Sequence, residues 1–164
     1  ARDGLDALTD ELADGRRPDL ALHLRIERAA ALDPGDALAE LAAAQASAER
    51  IGHRGMVLAA QVRSAAAAAV HDAVRAQRAA TEALALHERG VRSVLLLPAE
   101  PWLHAAQALR GVGDPVAQAL ACRGAEWLQR TAAEQVPAPF RESFLQRNPI
   151  NRELLHLAST LSRD

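Results

Sequence analysis

Residues 18–50 read PDLALHLRIERAAALDPGDALAELAAAQASAER, and this stretch decides the fold. Pro18 at a first-turn position and Asp19 open a helix, because proline cannot donate there and an acid suits the positive end of the helix dipole. Asp33-Pro34-Gly35 is a turn that stops it. Asp36 is then expected to cap a second helix, with Leu38, Leu41, Ala44, Ala48 and Ile51 along one face. Gly52 ends that helix. Two amphipathic helices joined by so short a turn must fold back on each other.

The same punctuation continues in both directions. Upstream, a helix is expected over roughly 3–14, ending near Gly15. Downstream, helices are expected at about His53–Val70 and 71–88, with Gly90 after the second. In 89–101 the run Val94-Leu95-Leu96-Leu97 precedes Pro98 and Pro101. It reads as a loop folded onto the helices, because a lone strand would leave its backbone groups unpaired. A helix follows over 100–111, closed by Gly111 and Gly113. Asp114-Pro115 opens another that runs to about 134, and Pro137 and Pro139 end it. A short helix holds Phe140 and Phe144. Asn148-Pro149 caps the last, which buries Ile150, Leu154, Leu157 and Leu161.

The expectation is therefore an all-α chain of about nine helices, paired as antiparallel hairpins and stacked. Alanine, leucine, arginine and glutamate dominate the composition, and all are good helix formers. Helix starts near 18, 36, 54 and 71 recur at a period in the mid-thirties, the signature of helix-turn-helix repeats.

The residues around this period resemble the tetratricopeptide (TPR) family. ERAAALDPGD, Glu27–Asp36, looks like the end of one TPR repeat, with a small Ala29 and then Leu32-Asp33-Pro34. Ala76, Ala80 and Ala83 sit at the spacing of the small residues on a TPR second helix. Trp102, Ala106 and Gly113 resemble the aromatic, the small residue and the inter-helix glycine of another unit. The insertion at 89–101 and Gln118 depart from the pattern. The resemblance covers about 18–135 and implies a right-handed superhelix. The stretch VPAPFRESFLQRNPINRELLHLA looks like the end of the helical regions that close LuxR-type and MalT-like bacterial ATPase regulators. It implies C-terminal capping helices over 136–164, and a chain that is one piece of a larger signalling protein.

Composition excludes several function classes. The chain has 164 residues, the size of one domain. All 19 basic residues are arginine, and with 21 acids the formal net charge is −2. Arg50, Arg54 and Arg63 gather near one turn, and Arg75 and Arg78 follow. Glu49, Asp72 and Glu82 compensate them, which argues against direct nucleic-acid contact. The lone Cys122 excludes a disulfide framework and a thiolate zinc finger. No apolar run reaches the roughly 18–20 residues needed to span a bilayer, and no signal peptide opens the chain, so a cytoplasmic location is expected. Because the chain begins at Ala1, it reads as a trimmed fragment of a longer protein.

Catalytic motifs do not surface. Without lysine a GxxxxGK[ST] phosphate loop cannot exist. HExxH, CxxC and GxSxG do not occur. His23 with Glu27, and Glu49 with His53 were the helix to continue past Gly52, are spaced as surface helical pairs. His71-Asp72 and His87-Glu88 are adjacent and do not face one another on a helix. A metal site needs about three convergent ligands, so no metal or cofactor is expected. Cys122, in ALACRGAEWL, reads as a small packing residue. Arg141-Glu142 and Arg152-Glu153 read as solvated charges near helix ends, and Ser143 and Asn148 as turn and capping residues.

The expected function is a non-enzymatic interaction or signal-sensing module. Stacked hairpins generate a surface lined by the first helix of each pair. Its candidate lining is Gln61, Arg63, His104 and Gln107. Trp102 joins the candidate partner-binding residues, although its apolar stripe favours core packing. The occupant expected is a peptide, a neighbouring domain or a small effector. Self-association through Ala65–Ala69 is the alternative, and an enzyme with an unrecognised site comes third.

Overall fold

The computed structural model describes residues 17–163. The helix expected over 3–14 lies outside them. The described residues form eight α-helices and no strand: α1 (Pro18–Ala29), α2 (Pro34–Arg50), α3 (Arg54–Ala68), α4 (Ala73–Glu88), α5 (Glu100–Gly111), α6 (Val116–Gln135), α7 (Arg141–Gln146) and α8 (Pro149–Leu161). A single 3-10 turn, Ala138–Phe140, precedes α7. The all-α expectation holds.

Local chemistry sets the boundaries. α2 starts at Pro34, two residues before the expected cap. Asp33 occupies the N-cap in an extended conformation, and Asp36 sits inside the first turn. A proline at the first helical position explains the difference: its ring fixes φ, and its missing N–H would have had no partner there. The helix expected to reach Val70 ends at Ala68, and Asp72 caps α4 by accepting the Arg75 N–H at 2.9 Å. Three helices close identically. Gly52, Gly90 and Gly113 take positive φ. The following N–H groups of His53, Val91 and Asp114 then reach back to the carbonyls of Ala48, Leu86 and Leu109 at 2.8–3.1 Å. These are Schellman closures, which need a left-handed residue at that point.

α8 is the best-capped helix. Asn148 Oδ1 accepts the N–H groups of Ile150 and Asn151 at 3.0 and 3.2 Å. Asn148→Ala should cost about 1 kcal/mol of stability, the usual worth of an N-cap, read as a lower urea midpoint. An unchanged midpoint would mean that the cap is replaced by water at no cost.

Each helix packs on its chain neighbour from α1 through α6, and α6 packs on α7 and α8. In addition α1 meets α3, α3 meets α5, and α5 meets α8. These four form a contiguous row, with α2, α4 and α6 laid against it. The contacts are made largely by small residues. Ala44, Ala48, Ala59, Ala60, Ala68, Ala76, Ala106 and Ala121 are fully buried. Alanine at a crossing lets two helix axes approach closely. The core has two parts. One joins α1, α2 and the first half of α3, and the other joins α5, α6 and α8. Both draw on α3 and α4.

The segment between α4 and α5 is a series of turns, as expected for a loop. Leu95 and Leu96 pack onto the first core part, while Val94 is 91% exposed. The turns lie close on α3. A Cβ added at Gly55 would stand 2.7 Å from the Arg92 carbonyl oxygen, so only glycine lets them settle.

Candidate functional site

The row of α1, α3, α5 and α8 carries a line of polar side chains. Arg63 leaves the middle of α3 toward α5. Its Nη1 lies 3.5 Å from Glu100 Oε1, and its Nη2 donates to the Leu95 carbonyl at 3.3 Å. Glu100, in the first turn of α5, is 5% exposed, and its second carboxylate oxygen has no partner. Burial raises its pKa, against the pull of the Arg63 charge.

One helical turn on, His104 Nδ1 lies 3.1 Å from Gln107 Oε1. Gln107 Nε2 in turn donates to Glu153 of α8 at 2.6 Å. Burial lowers the His104 pKa, so its ring is neutral near pH 7. The α5 spacing Glu100, His104, Gln107 is that of one helical face.

Arg63 and His104 line one side of a cleft of about 290 Å³. Its other walls are apolar: Ala29, Ala30 and Leu32 at the end of α1, Pro34, Ala37 and Leu41 from α2, and Ala66 and Ala67 from α3. Alanines leave the floor shallow and without polar groups. The cleft suits an apolar side chain of medium size, with a cation beside it.

Three of the five candidate residues therefore lie together: Arg63, His104 and Gln107. Gln61 does not join them. It is 6% exposed on another side of α3, and its Nε2 donates to Glu82 of α4 at 2.9 Å. Trp102 also faces elsewhere. Its ring stands edge-on to His87 at 4.6 Å and 81°, and 5.1 Å from Trp127. Both tryptophans pack against the second core part.

Two residues central to this region escaped the sequence reading. Glu100 carried no motif. His87 stands out in the sequence only as adjacent to Glu88 without facing it, and it is buried. Its position was recoverable, since Ala76, Ala80, Ala83 and His87 fall on one helical stripe of α4.

The remaining suspects are accounted for. Arg141 donates to the Val136 and Ala133 carbonyls at 3.1 and 2.8 Å and so closes α6. Cys122 Sγ lies 3.6 Å from Ser162 Oγ. Arg75 donates to the Leu38 carbonyl and Arg50 to Ser47. Among the described residues no group of three or more His, Cys, Asp or Glu side chains is placed to hold a metal ion, and no helix is long and apolar enough to cross a membrane. No family model, curated protein or solved structure matches the chain.

Proposed function

We propose that the chain is a non-enzymatic, TPR-like binding domain that holds a short segment of another protein in the Arg63–His104 cleft. The observation that carries this reading is the cleft itself. Four helices contribute to it, its walls are mostly alanine and leucine, and a half-buried guanidinium stands on one side. Both contacts of that guanidinium are long, so it retains hydrogen-bonding capacity for a carboxylate. The segment would place one apolar side chain in the cleft and an acidic residue beside Arg63. Such a domain fits the C-terminal part of a bacterial cytoplasmic regulator, where the lone thiol of Cys122 stays reduced. Of Ala65–Ala69, which suggest self-association, Ala65 and Ala68 are buried within the chain, while Ala66, Ala67 and Ala69 are partly exposed.

Selection of displayed random peptides on the pure domain tests the reading. The wild type should enrich peptides with an apolar residue next to Asp or Glu. Ala66→Trp fills the cleft and should abolish the enrichment, and Arg63→Gln should remove only the acidic preference. Equal enrichment on Ala66→Trp, with the helical circular dichroism intact, would place binding elsewhere. Hydrolysis of ATP by the pure chain would overturn the non-enzymatic half of the proposal.

A further inference from the structure

Arg92 lies in the turns after α4, with its guanidinium fixed on one side and free on the other. Nη1 donates to the His87 and Val91 carbonyls at 2.9 and 2.8 Å and so ties down the end of α4. Both Nη1 hydrogens are used in these bonds. Nε and Nη2, which share the opposite edge of the planar group, have no partner among the described residues. That edge presents two parallel N–H groups, the fork that grips a carboxylate bidentately. The turn carrying it is seated on α3, since only glycine at 55 admits the Arg92 carbonyl. The fork is therefore held in place before any ligand arrives.

Arg92 lines a cleft of about 230 Å³, separate from the one holding Arg63. Leu58, 1% exposed, is its floor, and Leu96, Leu97, Pro98 and Pro101 make the walls apolar. Arg92, Leu97 and Pro98 are exposed, so the guanidinium stands at the rim. Ser93 is beside it. Its Oγ accepts the Leu95 N–H at 3.3 Å and keeps its own hydrogen to donate. His87 borders the cleft too, but both ring nitrogens are buried away from it. Burial, with the nearby Arg92 charge adding, holds the His87 pKa down to about 4, against a smaller opposing effect of Glu88, so the ring is neutral at pH 7. No acidic side chain lines the cleft. Arg92 is its one charge.

We propose that this cleft binds a small apolar carboxylic acid, its hydrocarbon against Leu58 and Leu96 and its carboxylate on the free edge of Arg92. Size supports the hydrocarbon part. An apolar cavity of about 150 Å³ admits benzene, so this one takes a substituted six-membered ring. It falls below the roughly 300 Å³ at which drug-sized ligands begin to fit. Charge supports the acid. A carboxylate at the rim keeps part of its hydration while it pairs with the guanidinium, and the hydrocarbon leaves water for the apolar wall. A dianion would bring a second charge that nothing in the lining meets.

Cyclohexanecarboxylate is the probe and cyclohexylmethanol its uncharged counterpart, each titrated into the whole chain near pH 7 and followed by proton–nitrogen NMR. The acid should saturate, shift the Arg92 Nε–H resonance and bind at least tenfold more tightly than the alcohol. Arg92→Gln should erase that preference. Leu96→Trp, which fills the cleft from the turns, should abolish binding, and serves if Arg92→Gln loosens the turns. Ala66→Trp, which fills the Arg63 cleft, should leave the affinity for the acid unchanged and so separates the two sites. The proposal is overturned by absence of saturation, by equal affinity for acid and alcohol, or by an Arg92 Nε–H unshifted at saturation. Binding that survives Leu96→Trp and disappears in Ala66→Trp would place the acid beside Arg63 and overturn it equally.

Discussion

Gly124→Val is expected to lower stability by about 3 kcal/mol, the upper end of the usual cost of overpacking. Gly124 lies mid-way along α6, where glycine is otherwise a poor choice. A Cβ there would stand 2.8 Å from Leu154 Cδ2 and 3.0 Å from Trp102 Cβ, so α5, α6 and α8 meet on this one residue. Leu154 is wholly buried. For Gly124→Ala two effects oppose. Helix propensity favours alanine by roughly 0.5–1 kcal/mol, while the double contact costs about as much or more. The alanine variant should therefore fall near or slightly below wild type, and valine far below it. Urea unfolding followed by tryptophan emission reads both. A valine variant as stable as wild type would mean that these three helices do not cross this closely.

The second large effect is acid lability. In the unfolded chain His87 titrates near 6.5, and in the folded chain near 4. Between those values the unfolded state takes up the proton first. The contribution of His87 is thus fully present above pH 6.5 and is lost as pH falls toward 4, about 3 kcal/mol in all. His104, also depressed by burial, works in the same direction. Glu100 works against both. Its raised pKa lets the folded state take the proton first, which favours folding as pH falls. The share of His87 is isolated by comparison with His87→Leu. The urea midpoint of wild type should drop more steeply than that of the variant between pH 6.5 and 4. Parallel curves would show that the ring reaches water or finds a partner in the folded state.

The helical architecture was legible because its signals are local. Pro18, the Asp33-Pro34-Gly35 turn, Gly52, Gly90 and Asn148-Pro149 each act within one turn of backbone. The bounds of α5 matched, and those of α3 and α4 differed by one or two residues. The displaced cap, Asp33 in place of Asp36, came from weighing the aspartate side chain above the fixed φ of Pro34. The candidate site was legible only in part, because it depends on which helices adjoin. Helix order placed Arg63, His104 and Gln107 on elements that do meet. It did not say which way each side chain leaves its helix. Gln61 is two residues from Arg63, a rotation of about 200° at 3.6 residues per turn, and so faces α4. The burial of His87 is encoded only in its i+4 and i+7 spacing from Ala83 and Ala80, a stripe in which a histidine is an uncommon member.

The division of the core carries a thermodynamic consequence. Residues 18–50 are anchored to the later helices chiefly through α3, with a lesser link from Leu38 to α4, and most of their contacts are with one another and with α3. They form a unit that can open while α5, α6 and α8 keep their own packing. The Arg63 cleft takes walls from both sides of that division. A segment seated there would add a tether between the two parts, so its affinity and the closing of the first two helices are linked quantities. Whatever loosens α1 and α2 would release the segment, and whatever binds would slow their opening.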